Sequence, residues 1–401
     1  MSEESTKSPI LISEIHLQNI LSFGPDAKPI PLGPLNVLIG PNGSGKSNLI
    51  EAISLLKALP GDLNEFITEH GGIESWIWKS QTLPAIGDIQ EMYPNYPRLR
   101  VKIKSQKGGM FYETLEFIQN PNGFKINEHF GDGRDHLYAS NAWDKDLPEG
   151  IPVIEFQGAS YRLHSVAENQ SILAQAKDPV HFPELSEIGK NYSNSKIFET
   201  FQFGRESKLR KRSEKFRIHD RLKEDFSNLN SFLAKRLSNS AVKSEFVEAL
   251  DSLFEDITDI EVREVGDDHE LRLKEGQNWF PASRLSDGSV RFICLLAILL
   301  DPTPPPLICI EEPELGMHPD IIVKIADLLV EASTRTQLIV TTHSDIILDA
   351  LGKMPESILV CEKINGKTEI TRLDEESVKP FLAHRSLGDM WNSNIIGGRR
   401  W

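Results

Sequence analysis

"GPNGSGKS", Gly40 to Ser47, follows the apolar run "PLNVLI" and precedes "NLIEAISLLKAL". It fits G-x-x-x-x-G-K-[ST] in the strand-then-helix context which that phosphate-binding pattern requires. Glycines let the backbone turn inward and aim its amides at phosphate oxygens, while the helix N-terminus adds the positive end of its dipole. Gly40, Pro41, Asn42, Gly43, Ser44, Gly45 and Asn48 are therefore read, with Lys46 and Ser47, as nucleotide-binding residues. Lys46 is placed to reach the β- and γ-phosphates of ATP, and Ser47 to offer its hydroxyl to Mg²⁺.

A second stretch, "PLICIEEPELGMHPD" (Pro306–Asp320), ends four apolar residues in two adjacent carboxylates. Leu307–Ile310 read as a strand with no water on either face, so the pair needs a cation or a reacting water nearby. In P-loop NTPases an acid at the end of a second buried strand helps to hold the Mg²⁺. Glu311 is in that place, and Glu312 would orient or deprotonate the attacking water.

The 401-residue chain can bury a sizeable core in two or three lobes, and its 39% hydrophobic and 26% charged residues are ordinary for a globular protein. No apolar run approaches the roughly 18 residues of a membrane span. The polar start "MSEESTKSP" lacks the features of a signal peptide. Cys294, Cys309 and Cys361 sit singly in apolar stretches and read as buried reduced thiols, so a cytoplasmic protein with no membrane partner is expected. A formal charge of −15 opposes nucleic-acid binding by overall field.

"LISEIHLQNI" alternates as a strand, and residues from about 97 to 157 are β-rich, apart from a turn-rich, exposed stretch at 131–150. Residues 185–258 read as helical. A strand pair near 260–275 and strand–helix–strand units then run to about residue 361, implying a parallel sheet with ligands at the strands' carboxyl ends. The expected fold class is α/β: a P-loop head with a mixed or parallel sheet core, a β-subdomain and an inserted helical arm. Its parts are 1–184 (phosphate cradle and β-subdomain), 185–258 (helical arm) and 259–401 (remainder of the head).

"GPNGSGKSNLIEAI" resembles the RecF/SMC branch of ABC-type ATPases. "LSDGS" (Leu285–Ser289) resembles the ABC signature loop, with Asp287 where transporters usually carry glycine; "IEEPELGMHP" resembles Walker B plus the D-loop; "VTTHS" supplies a switch histidine, His343. "SLGDMWNSNIIGGRRW" at the end is similar to the small prokaryotic RecF-like ATPases, often classed as AAA-type and often encoded beside effectors in phage-defence or toxin–antitoxin operons. The first 60 and last 130 residues carry the likeness well and the middle poorly. Glu311 departs from the usual aspartate, so hydrolysis is expected to be retained but slow.

The resemblance implies an ATP sandwich between two copies of the chain. Ser286, Asp287 and Gly288 of one copy would then meet the γ-phosphate held by the other, completing its charge cage, and His343 would report the same phosphate. Phe23 is a candidate for stacking on adenine and, equally, a core residue; Gln170 is a candidate for the metal-contacting glutamine between subdomains. The 238 residues between Lys46 and Leu285 leave no room for an SMC-length coiled coil, and the 58 after His343 none for a Toprim nuclease.

Arg205–Lys223 carries nine basic against three acidic residues. A solvated helix face, a DNA contact and an acidic protein partner are its readings. Three functions compete: a dimeric ATPase switching a separate effector, a repair ATPase clamping duplex DNA, and a motor docked on membrane subunits. The "NGSGKSNLIEAI" start and the tail disfavour the third. The first is favoured, because the overall charge would repel a long duplex.

Overall fold

Runs of buried aliphatic residues punctuated by glycine and proline set the architecture, and the computed structural model describes residues 9–79, 96–105, 109–120, 123–132, 136–141, 153–156, 159–161, 167–199, 213–214, 221–251, 257–266 and 268–398. First come β1 (Ile12–Gln18), β2 (Ile30–Pro31), β3 (Leu35–Ile39), α1 (Lys46–Ala58), α2 (Leu63–Glu69) and α3 (Ile73–Trp76). Next are β4 (Arg98–Lys104), β5 (Met110–Asn120), β6 (Gly123–Gly131), β7 (His136–Asn141), β8 (Val153–Phe156) and β9 (Ala159–Tyr161). Then follow α4 (Ile172–Gln175), α5 (Pro183–Asn194), β10 (Lys196–Phe198), β11 (Ser213–Glu214), α6 (Leu229–Arg236) and α7 (Ser240–Asp251). Beyond them are β12 (Ile257–Val265), β13 (Asp268–Glu275), β14 (Asn278–Pro281), α8 (Asp287–Leu299), β15 (Leu307–Glu311) and α9 (Pro319–Ala332). The chain closes with β16 (Gln337–Thr341), α10 (Asp345–Ala350), β17 (Ile358–Ile364), β18 (Lys367–Arg372), α11 (Glu375–Leu382) and α12 (Leu387–Asn392).

The central sheet has the order β10-β15-β16-β3-β17-β18, parallel except for β18. Strands β3 and β16 are buried at every residue, as strands covered on both faces must be. An antiparallel sheet, β2-β1-β4-β5-β6-β7-β8-β9, stacks beside it, and β11-β13-β12 with β14 forms a third. Helix α8 is buried continuously from Ser289 to Leu299, because it lies between the central sheet and the layer of α6, α7, β12 and β13. A helix apolar all round requires such a place.

Gln337 binds two sheets together. Its Oε1 accepts from the Leu11 and Ile12 amides at 3.1 and 2.9 Å, and its Nε2 donates to the Ile12 and Gly33 carbonyls at 2.7 and 2.9 Å. A buried amide with all four partners fixes β1 over the end of β16.

Residues 185–258, read as helical, hold most of α5 and all of α6 and α7, but also β10, β11 and the first residues of β12. The three-residue run "KIF" becomes a strand because β15 offers it a parallel edge. Within the expected turn-rich stretch 131–150, His136–Asn141 pair as β7. Most of the basic stretch Arg205–Lys223 lies outside the described residues. The three cysteines are free and buried, and no helix among the described residues is long and apolar enough to cross a membrane.

Candidate functional site

The buried strand β3 delivers Gly40 to the carboxyl edge of the central sheet, against the neighbouring strand β17. A Cβ on Gly40 would stand 2.2 Å from the Cys361 carbonyl, and one on Gly45 2.1 Å from Thr368 Oγ1. Only glycine fits either place, and both have positive φ, 144° and 104°. Nothing lies within 4 Å of a Cβ built on Gly43, so that side of the loop is open. Thr368 Oγ1 donates to the Ser44 carbonyl at 2.8 Å and meets Ser22 Oγ at 2.6 Å, while Asn48 Nδ2 donates to the same Ser22 oxygen at 2.6 Å. Two distant segments thus brace the loop.

Lys46 Nζ donates to the Gly40 and Pro41 carbonyls at 2.7 and 3.1 Å. Burial lowers its pKa, with Glu312 and Glu311 acting the other way. Ser44 Oγ is buried beside Gly40 and has no hydrogen-bond partner among the described residues. An orphaned hydroxyl, an ammonium resting on carbonyls and an open glycine face fit an anion of phosphate's size and charge.

Strand β15 ends where expected. The Ser47 hydroxyl hydrogen-bonds the Glu311 carboxylate, which burial nevertheless pushes above the usual carboxylate pKa. A hydroxyl and a carboxylate are hard oxygen donors of the kind Mg²⁺ takes when phosphates and waters complete its shell. Glu312 has φ 43°, a left-handed conformation that a non-glycine residue holds only under external constraint. The constraint is visible: its amide donates to the Thr341 carbonyl at 3.0 Å, and Arg291 Nη2 of α8 donates to its carbonyl at 2.8 Å. Its carboxylate lies 3.7 Å from His343 Nε2.

His343 is itself held. Glu314 Oε1 accepts from the His343 amide at 2.8 Å and from Thr342 Oγ1 at 2.7 Å. Burial raises the Glu314 pKa, with those hydrogen bonds opposing it. The structure therefore brings Gly40–Asn48, Glu311, Glu312 and His343 into one place. Ser22, Thr368, Arg291, Thr342 and Glu314 join them from five segments; Glu314 and Thr342 lay inside "IEEPELGMHP" and "VTTHS", whose patterns pointed here.

Ser286 caps α8, its Oγ accepting from the Ser289 amide at 3.1 Å. Ser286 and Asp287 are exposed, and a Cβ on Gly288 would approach the Gly316 carbonyl to 3.0 Å. The Leu285–Ser289 loop thus packs on the turn after β15 and turns its polar edge outward. Gln170 is not at the site: its Oε1 accepts from the Leu63 amide at 2.9 Å and its Nε2 donates to Asp62 at 2.7 Å, closing the start of α2. Phe23 is 2% exposed and packs in the core, so the structure favours the core alternative.

A family model described as "AAA domain, putative AbiEii toxin, Type IV TA system" matches residues 35–86 and 175–349. Among solved structures, an SMC head bound to the C-winged helix domain of ScpA has a TM-score of 0.52 and 16% identity, over 92% of this chain and 100% of that one. The Smc head from Pyrococcus furiosus, with an extended coiled coil and bound to the C-terminal domain of ScpA, has a TM-score of 0.51 and 14% identity, over 93% and 98%. At such identities these heads share the fold. No curated protein matches the chain in sequence.

Proposed function

The chain belongs to this AAA-domain family, and from that premise we propose that it binds ATP with Mg²⁺, hydrolyses it, and works as a dimeric switch for a separate effector protein in a defence or toxin–antitoxin system. The observation that carries the reading is Glu312. A carboxylate held at positive φ by Thr341 and Arg291, one residue beyond the Ser47–Glu311 pair and 3.7 Å from His343, has the constrained geometry of a general base.

Lys46 would exchange the Gly40 and Pro41 carbonyls for phosphate oxygens. Ser47 and Glu311 would hold the Mg²⁺, which when bound neutralises charge on the phosphates. Glu312 takes the proton of the attacking water, and His343, anchored through Glu314, keeps that carboxylate and the γ-phosphate in register. Ser286, Asp287 and Gly288 would close the site from a second copy of the chain. The toxin–antitoxin setting is supported by the family's description, which names a putative toxin and a type IV system.

Glu312→Gln tests the reading. Turnover should fall by about a hundredfold or more, while ATP binding, measured by equilibrium titration, stays within about twofold. A variant that hydrolyses ATP at the parent rate would remove Glu312 from the role. Stimulation of the parent enzyme by duplex DNA, rather than by a co-purifying protein, would favour a DNA clamp over the effector switch.

A further inference from the structure

The C-terminal segment has no part in the mechanism above, yet at Gly398 it lies beside the phosphate cradle. Gly398 is buried, with φ 63°, and a Cβ built on it would stand 3.6 Å from Gly40 Cα and 2.8 Å from Val360 Cγ1. Two side chains pin it there. Its amide donates to Glu362 Oε1 at 3.0 Å, and its carbonyl accepts from Trp391 Nε1 at 2.5 Å. Trp391 belongs to α12, which docks on α10, the helix that begins one residue after Ser344. The Gly388 amide donates to Asp349 at 2.7 Å, and Asn392 to Asp345 at 3.1 Å. One segment therefore touches the helix behind His343 at one end and the first glycine of the cradle at the other.

The corner at Gly40 is where position matters most. Its carbonyl holds Lys46 Nζ, and its Cα side is closed by the Cys361 carbonyl and faces the place a Cβ on Gly398 would take. We propose that Glu362, Trp391 and Gly398 form a C-terminal clamp that positions Gly40, the first glycine of the cradle, for nucleotide. This inference rests on the reading of the cradle as an ATP site. Glu362 acts through Gly398 and is a positioning residue: its negative charge near a phosphate site would by itself weaken ATP binding, whereas its hydrogen bond preserves the corner.

That opposition makes the role testable. In the full-length protein, Glu362→Ala should raise KM for ATP about tenfold with kcat within about twofold, because a displaced cradle loses ground-state and transition-state binding alike. Glu362→Gln, whose amide oxygen still accepts from Gly398, should keep KM at or below the parent's. Deleting residues 397–401 should match Glu362→Ala, and combining the two should add nothing further, as coupled parts of one contact do. Deleting only 399–401 should leave KM within about twofold of the parent. A fluorescent ATP analogue gives the same comparison at equilibrium, and thermal midpoints separate positioning from lost stability. An unchanged or lowered KM in Glu362→Ala, an equal rise in Glu362→Gln, or a full rise on deleting 399–401 alone would each overturn the clamp. A parent protein that binds no ATP would instead overturn the reading of the cradle.

Discussion

Lys46 carries the least comfortable charge in the cradle. It is 7% exposed, burial lowers its pKa, and its two hydrogen bonds go to the backbone carbonyls of its own loop. Such carbonyls carry partial negative charge, so phosphate oxygens bearing full charge displace them readily. Hydrogen bonds to a charged group contribute about 1.5–3 kcal/mol, so Lys46→Ala should weaken ATP binding by about 10- to 100-fold. Equal affinity in that variant, measured by titration, would count against the cradle. Glu312→Gln is expected to behave oppositely, keeping affinity and losing turnover. The contrast separates a binding residue from one that acts on the water.

Helix α8 joins the loop at Ser286 to the backbone of Glu312. Its first residues belong to the outward-facing loop proposed to act as a signature, while Arg291, one turn further on, reaches the Glu312 carbonyl at 2.8 Å. A ligand that shifts the start of α8 therefore bears on the constrained Glu312 at the end of β15. If Ser286 acts on the nucleotide of a second copy, Ser286→Arg and Lys46→Ala homodimers should both be inactive, while verified mixed dimers keep one intact site and recover part of the activity. Mixed dimers without recovery would exclude sharing between copies. Elements of this kind were legible in the sequence where a local pattern sufficed: β3, β15 and β16 as unbroken apolar runs, α1 and α9 by their apolar faces. Strand β10 was not, because three residues make no pattern and β15 decides their conformation. Nor were Thr368, Arg291 and Glu362, whose roles arise from pairing between segments far apart in the chain. Gln170 was misplaced for the same reason: its polar ends found the start of α2, a contact no local spacing announces.

Beyond the cradle, the antiparallel sheet and the helices beneath it share a buried acidic pair. Glu113 of β5 and Glu128 of β6 are 1% and 0% exposed. Tyr192 of α5 donates to Glu113 at 2.5 Å, and Ser171 and the Ile172 amide donate to Glu128 at 2.7 and 2.6 Å. Helix α5 packs in turn on α1, the helix of the cradle. Burial first, then mutual repulsion, pushes Glu113 well above the usual carboxylate range, and burial pushes Glu128 up to about 7. The sign follows from proton counting. Because the folded pKa values are raised, the folded chain holds more protons than the unfolded one above the ordinary value of 4.5. Stability should therefore fall as pH rises from about 4.5 through about 7, by about 1.4 kcal/mol per pH unit for each proton held in excess. Burial raises Glu51, Glu311 and Glu314 as well, so the parent slope is a sum, and the difference between parent and variant isolates the pair. Glu113→Gln keeps an acceptor for the Tyr192 hydroxyl, removes one titration and relieves the repulsion on Glu128. Its thermal midpoint should lie above the parent's at pH 8, and the two should converge toward pH 5. Parallel curves across that range would mean that the pair holds no excess protons, and the account of this buried layer would fail.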